Sequence, residues 1–167
     1  VLGYALLNHG VIGSFNDIVF RQDAHVVAIQ ELRLLIADTV VPVDEFVEDR
    51  NPEHQAAYRR YRGEVEGAFA ALVRDLGDLP AAQDLVRRAQ DAWTIADRHA
   101  TELLAAGATP GDAAVGQALA LFHGEIAGVS DRLRAAYGMV SEVIAGDLDT
   151  AARFYERALW ISGIAAV

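Results

Sequence analysis

One long amphipathic pattern occupies the last third of this chain: residues 112–159 have the sequence DAAVGQALALFHGEIAGVSDRLRAAYGMVSEVIAGDLDTAARFYERAL. Apolar or small residues recur at intervals of three and four throughout it, which predicts a helix with one buried stripe. The phase continues across Gly146 and Asp147, so we expect no break there. Because a single helix cannot bury such a stripe alone, residues 112–159 should be the spine of a bundle or coiled coil.

Three further helical patterns precede this spine. The first covers residues 2–49, with a bend at Pro42 or two separate helices; the others cover residues 52–76 and 81–106, and the spine itself extends over 111–165. Asn51 and Pro52 have the residue types of an N-cap and a first helical position, and Gly77 is a suitable stop. The same pattern of cap residue and proline predicts that the last helix starts at Thr109, Pro110 and Asp112.

The lengths of these helices predict a topology. At about 1.5 Å per residue, the first and fourth helices reach about 70 to 80 Å and the second and third about 35 to 40 Å. Joined by short turns, the two long helices run in opposite directions over similar lengths, and so do the two short ones. Both chain ends should therefore lie at the same end of the rod. We therefore expect an all-α, up-down-up-down four-helix bundle that forms one domain over residues 1–167.

Composition narrows the classes of function. The chain has 167 residues, of which 53% are hydrophobic, so one domain with a substantial core is expected. Its net charge of −10 provides no basic face to neutralise phosphates, which argues against nucleic acid as a partner. There is no cysteine, so disulfides and thiolate metal sites are excluded.

Both ends of the chain are apolar, VLGYALL at the start and RALWISGIAAV at the finish. Each is shorter than the roughly 20 residues that a membrane span needs, but each has the character of the water-side edge of one. Trp160, and Tyr4 at the other end, would suit a membrane interface. The alternative is an ordinary hydrophobic helix end.

Two stretches carry a resemblance to a known family. Residues 40–61, VVPVDEFVEDRNPEHQAAYRRY, and residues 121–133, LFHGEIAGVSDRL, resemble the four-helix-bundle extracytoplasmic sensor domains of bacterial histidine kinases and chemoreceptors. Those domains commonly have a proline late in the first helix, an acidic or amide residue with an aromatic after it, and an Asn/Asp-Pro turn. Here the corresponding residues are Pro42, Asp44, Phe46, Asn51 and Pro52, and Arg50 stands where a glycine is frequent.

The resemblance implies a role in signal reception. It implies a periplasmic domain of an inner-membrane protein, flanked by transmembrane helices, whose fourth helix leads to a cytoplasmic signalling module. It further implies a homodimer that relays a stimulus through its first and fourth helices. No enzymatic chemistry and no cofactor are expected in this segment. The alternative is a helical coiled-coil adaptor that binds a partner protein and no small ligand.

No catalytic or metal motif opposes this interpretation. The five histidines form no Glu-x-x-His pair of the kind that di-iron bundles need, and there is no P-loop, dinucleotide fingerprint or nucleophile elbow. His99 and Glu102 are three residues apart on a helix, but one such pair is typical of a solvated face. We expect no metal site.

Two groups of residues are candidates for a ligand site. Counting down from the top of the bundle brings four positions to one level: Asp38 or Thr39, Glu64, Trp93 and His123. Asp38 and His123 would be polar members of an apolar layer, which is consistent with a small pocket or a pH-sensitive bridge, or with a satisfied core pair or simple exposure.

The second group lies in the basic run RRYR. Arg59 and Arg62 share one helical face and could bind an anionic ligand, because arginine forks match carboxylates and phosphates. The alternative is that they form surface ion pairs with neighbouring acidic residues, namely Glu53, Glu64 and Glu66.

Overall fold

The computed structural model describes residues 24–105 and 112–164, apart from the side chains of residues 154, 155 and 158–164. All the described segments are helices and turns, which confirms the all-α class. Several predictions concern residues or side chains outside this description, among them those on Tyr4, Thr109, Pro110 and Trp160.

The helices follow one another in chain order with short connections. Helix α1 covers the described residues 24–38, α2 Val40–Asp49, α3 Pro52–Asp75, α4 Pro80–Ala105 and α5 Ala113–Ile164. The predicted first helix corresponds to α1 and α2, and the predicted fourth helix corresponds to α5.

The break between α1 and α2 lies at Thr39 and not at Pro42. Pro42 has no backbone N–H, so the carbonyl of Asp38, four residues earlier, cannot receive the usual helical hydrogen bond. The chain tightens at this point: the Thr39 N–H donates to the Ile36 carbonyl at 3.2 Å, and the Thr39 hydroxyl donates to the same carbonyl at 2.6 Å. The effect of the proline therefore appears one turn upstream of the ring itself.

The turn between α2 and α3 is built from local hydrogen bonds. Arg50 adopts a left-handed conformation (φ 60°, ψ 20°), and its N–H donates to the Phe46 carbonyl at 3.0 Å. Asn51 then caps α3, because its side-chain oxygen accepts from the Glu53 N–H at 3.0 Å, and Pro52 occupies the first turn. The predicted Asn-Pro cap is confirmed.

Side-chain contacts show that α3 and α4 are antiparallel. The Gln55 amide donates to the Leu104 carbonyl at 2.6 Å, while the Gln83 amide donates to the Val73 carbonyl at 2.7 Å. The start of α3 thus lies beside the end of α4, and the end of α3 beside the start of α4. Both bonds satisfy backbone carbonyls at the helix ends, which have no donor inside their own helix.

The core runs between all these helices, and among α2 to α5 the most extensive helix–helix contact joins α4 and α5. The buried face of α4 is rich in alanine, which allows close approach of the two helices. Trp93 is buried on this face. Other fully buried large side chains are Ile29, Leu32, Ile36, Tyr58, Phe69, Leu72, Phe122 and Leu133.

Helix α5 is continuous over 52 residues and passes through Gly146 without interruption. At about 1.5 Å per residue it is about 78 Å long. Val140 is the last fully buried residue among the described side chains of α5, and Ile144 packs against the core only in part. The helix therefore extends well beyond the described core.

Candidate functional site

Three acidic residues of α2 contact histidines that belong to two other helices. Asp44 meets His123 of α5, whereas Glu45 and Asp49 both meet His54 in the first turns of α3. We call these five residues the α2 histidine–carboxylate cluster. Together they link the short helix α2 to both of its neighbours.

His54 lies between two carboxylates. Its Nδ1 atom is 3.0 Å from Glu45 Oε2, and its Nε2 atom is 3.1 Å from Asp49 Oδ2. The side chain is 20% exposed, so water competes only in part for these contacts. Since a neutral imidazole carries a single N–H, both carboxylates can receive a hydrogen only when the ring is protonated. The geometry is complementary to the imidazolium form.

Asp49 is held by the turn as well as by the histidine. Its Oδ1 atom accepts the Asn51 N–H at 2.8 Å. That backbone bond, followed by the hydrogen bond and positive charge of His54, lowers the pKa of Asp49 below its usual value. The carboxylate is consequently kept in the ionised form that pairs with an imidazolium.

His123 forms the contact between α2 and α5. Its Nε2 atom is 2.9 Å from Asp44 Oδ1, and both side chains are about two-fifths exposed. The ring also packs against Phe122, with 5.6 Å between ring centroids. Phe122 is fully buried, so it fixes the backbone of α5 at this level. The position of the adjacent His123 side chain follows from that.

The cluster is suited to respond to protons. Four carboxylates lie within the 6 residues Asp44 to Asp49 of one helix, and three of them contact the two imidazoles. Histidine is the side chain whose ordinary pKa lies closest to neutrality. Loss of the imidazolium charges would leave the carboxylates of α2 without their cationic partners, which weakens the attachment of α2 to α3 and α5.

A second polar group joins α3 to α4. The Tyr58 hydroxyl donates to Asp97 Oδ1 at 2.9 Å, and Arg62 Nε is 3.0 Å from the same oxygen. Tyr58 is only 2% exposed, and burial, followed by the negative charge of Asp97, raises the pKa of its phenol far above the ordinary value. The group is a structural bridge between the two helices.

One of the two candidate arginines, Arg62, belongs to this bridge. Arg62 Nε lies 3.0 Å from Glu66 Oε1 in addition to Asp97, so its guanidinium is paired within the chain. The pairing with Glu66 was one of the expected alternatives, but Asp97 was not foreseen. Arg59 is exposed on α3.

The other candidates differ in their surroundings. Asp38 and Glu64 are exposed, Trp93 is buried in the core, and His123 pairs with Asp44 and not with Asp38. Thr39 is buried, and its hydroxyl is satisfied by the Ile36 carbonyl. The structure thus places these positions in an exposed ion pair, in the core and at the break between α1 and α2.

A cavity of about 360 Å³ lies near the start of α1, lined by Ala24, His25, Ala28, Leu72 and Asp75. His25 is buried, and its Nδ1 atom has no hydrogen-bond partner among the residues that the structure describes. None of the predicted ligand residues lines this cavity. The sequence signal for it was the polar interruption of the first helical stripe near residue 25.

Within residues 24–105 and 112–164, no three acidic or histidine side chains are arranged to hold a metal ion. His99 lies 3.8 Å from Glu102, a contact on the helix surface. No helix of these same ranges combines the length and apolar character that crossing a membrane requires.

Comparison with protein-family models, curated proteins and solved structures finds no match to this chain.

Proposed function

We propose that this chain is the extracytoplasmic sensor domain of a membrane-bound bacterial receptor, a sensor histidine kinase or a chemoreceptor. In this proposal the domain is an up-down-up-down bundle that works as a homodimer in the periplasm. Its first helix (α1 and α2) and its fourth helix (α5) lead to flanking membrane spans. The fourth helix relays the stimulus to a cytoplasmic module.

The observation that carries the proposal is the continuity of α5. One unbroken helix of 52 residues holds His123 near its start and extends past Val140, the last fully buried residue among the side chains that the structure describes in it. A displacement at the His123 contact would pass along this helix, because packed helices change between discrete arrangements and resist continuous bending. An uninterrupted rod is the element that such a relay requires.

The α2 histidine–carboxylate cluster supplies the input in this proposal. Its three contacts connect α2 to α3 and α5, and each contact includes an imidazole. The stimulus that this chemistry supports is a change in protonation. Acid favours the state in which the imidazoles are paired with the carboxylates of α2. No reacting group, cofactor or metal is needed for this role.

The proposal is tested by measuring the distance between α2 and α5 at two proton concentrations. Nitroxide labels on cysteines at Glu48 and Gln117, both exposed, report this distance by pulsed electron paramagnetic resonance. At pH about 5 we expect a single short distance, and at pH about 8 a longer or broader distribution, because histidine is the side-chain type that ordinarily changes its charge in this interval. The chain has no cysteine of its own, so the labelling is specific.

A double variant, His54→Gln with His123→Gln, is the control, since glutamine cannot be protonated. Its distribution should be the same at both pH values. If the unmodified chain also shows identical distributions at both pH values, the proposal that protonation is the stimulus is wrong. The helical-adaptor alternative is then favoured, because an adaptor needs no such response.

A further inference from the structure

The cavity of about 360 Å³ lies between the start of α1 and the end of α3. Ala24, His25 and Ala28 line it from α1, and Leu72 and Asp75 line it from α3. Positions three or four apart share one face of a helix, so the two groups face each other across the same space. The volume falls at the lower end of the range for small-molecule sites, about 300–1,000 Å³.

This cavity is separate from the α2 histidine–carboxylate cluster. His54 of the cluster and Asp75 of the cavity lie at opposite ends of α3, about 30 Å apart along its axis. The two groups have no residue in common. A ligand bound in the cavity would therefore occupy a second site.

The polar group inside the cavity is the imidazole of His25. The residue is only 8% exposed, and its Nδ1 atom has no hydrogen-bond partner among the residues that the structure describes. Burying a polar atom without a partner is unfavourable, and the large majority of buried polar side-chain atoms are paired. A molecule that enters the cavity and hydrogen-bonds to Nδ1 would remove this cost.

The apolar walls define the body of such a molecule. Ala24 and Ala28 present only methyl groups, and Leu72 presents an isobutyl group from a residue that is 2% exposed. Small-molecule sites combine apolar walls of this kind with a few placed polar groups. The ligand should therefore have an apolar body, of the size of one ring or a short alkyl chain.

Asp75 defines the head group. Its side chain is 50% exposed, so the cavity opens to solvent beside a carboxylate. Its Oδ1 atom accepts from Arg74 Nε at 3.0 Å, but a carboxylate has about four acceptor sites and keeps the others. A neutral imidazole also accepts at the nitrogen that carries no hydrogen. Two acceptors, one of them negatively charged, favour a cationic head that only donates, and an ammonium group provides three donors.

We infer that this cavity binds a small primary amine with an apolar body, whose ammonium group donates to His25 Nδ1 and to the Asp75 carboxylate. The inference goes beyond the proposed function and does not rest on it. The site uses no residue of the α2 histidine–carboxylate cluster, and the binding it describes needs no change in protonation of that cluster.

Three probes with the same body and different heads test the head-group chemistry. Phenylethylamine, phenylethanol and phenylpropanoate each carry a phenyl ring on a two-carbon spacer, and their heads are cationic, neutral and anionic. Isothermal titration of the 167-residue chain at neutral pH should show one molecule of the amine bound per chain. The dissociation constant of the alcohol should be at least about tenfold higher, and the carboxylate should not bind.

Asp75→Asn tests the contact of the head group and removes a charge from a half-exposed side chain, so the variant should fold. It should raise the dissociation constant of phenylethylamine at least about tenfold and change that of phenylethanol little. Asp78→Asn is the matched control, because it removes the same charge from an exposed position that does not line the cavity. This control should bind the amine as the unmodified chain does.

Two variants test the interior of the cavity. Ala28→Leu extends an isobutyl group from the α1 wall and should abolish binding of both the amine and the alcohol. His25→Phe keeps a ring of similar size and removes the nitrogen atoms, so it should weaken the amine at least about tenfold. Circular dichroism of each variant verifies that the helices are retained.

Three results would overturn the inference. The first is the absence of binding by all three probes, which is expected if water alone fills the cavity. The second is equal binding of phenylethylamine and phenylethanol. The third is equal weakening of the amine by Asp75→Asn and Asp78→Asn. None of these results bears on the labels at Glu48 and Gln117, which measure the response of α2 and α5 to protons separately.

Discussion

Replacing Tyr58 by phenylalanine should produce a loss of stability that disappears in alkali. The Tyr58 hydroxyl donates to the ionised Asp97 at 2.9 Å in a site that is only 2% exposed. Hydrogen bonds to charged groups contribute about 1.5–3 kcal/mol. Asp97 keeps Arg62 as a partner in the variant, so we expect the lower end, about 1.5 kcal/mol near neutral pH.

The sign of the pH dependence follows from the raised pKa of Tyr58. In the unfolded chain the phenol ionises at pH about 10, but in the folded chain it stays protonated. Tyr58 therefore makes its full contribution to the free energy of unfolding below that pH, and above it the contribution falls by about 1.4 kcal/mol per pH unit. The Tyr58→Phe variant has no such loss, so the two stability curves should meet at pH about 11.

The assay is urea unfolding followed by circular dichroism at a series of pH values. Tyr61→Phe is the control, because it removes one hydroxyl from the same helix at a half-buried position beside Arg60. Its difference from the unmodified chain should not change with pH in the way that Tyr58→Phe does. A Tyr58→Phe deficit that stays constant between pH about 8 and about 11 would refute the assignment of a buried, protonated phenol.

Three further predictions concern stability and can be measured by the same urea unfolding. Gly67→Ala should stabilise the chain by about 0.5–1 kcal/mol, since a Cβ at this mid-helix position meets nothing within 4 Å. Gly77→Ala should give no such gain, because Gly77 lies in the turn after α3 and a Cβ there would be 3.3 Å from the Arg74 carbonyl oxygen. Phe122→Ala should cost about 3–5 kcal/mol because the ring is fully buried, whereas His123→Ala next to it removes only a half-exposed ion pair and should cost less than about 1 kcal/mol. Asn51→Ala should cost about 1 kcal/mol through loss of the N-cap, and an unchanged midpoint would contradict the cap.

The parts of the fold that could be predicted from sequence are those determined locally. The start of α3 follows from Asn51 and Pro52, because cap and proline act within one turn of the residues that carry them. The continuity of α5 through Gly146 follows from an unbroken apolar phase. The first helix shows the limit of this reasoning: a proline removes a donor whose acceptor lies four residues earlier, so the break is displaced to Thr39.

The candidate site was predictable only in part, since its contacts join different helices. Counting equal distances from the end of the bundle placed Asp38 beside His123, but the turn at Thr39 intervenes and the partner is Asp44, six residues later. Helical periodicity also cannot reveal Asp97 as the partner of Arg62 on another helix.

His54 was missed for a related reason. Its contact with Asp49 crosses the turn at residues 50 and 51, and a spacing of five across a turn belongs to no helical pattern. The signal that could have found it is the concentration of acidic residues at the end of α2, immediately before a histidine in the first turn of α3.

The central claim is that the state of the α2 histidine–carboxylate cluster controls the position of the far part of α5. It is tested most directly by nitroxide labels at Asp78, in the turn before α4, and Glu142, on α5 beyond Val140; both positions are exposed. We predict that the distance between them shifts by about 1–2 Å between pH about 5 and about 8. The shift should be absent from the variant that combines His54→Gln and His123→Gln. A distance that stays constant in the unmodified chain, while the labels on α2 and α5 respond to pH, would contradict transmission along α5.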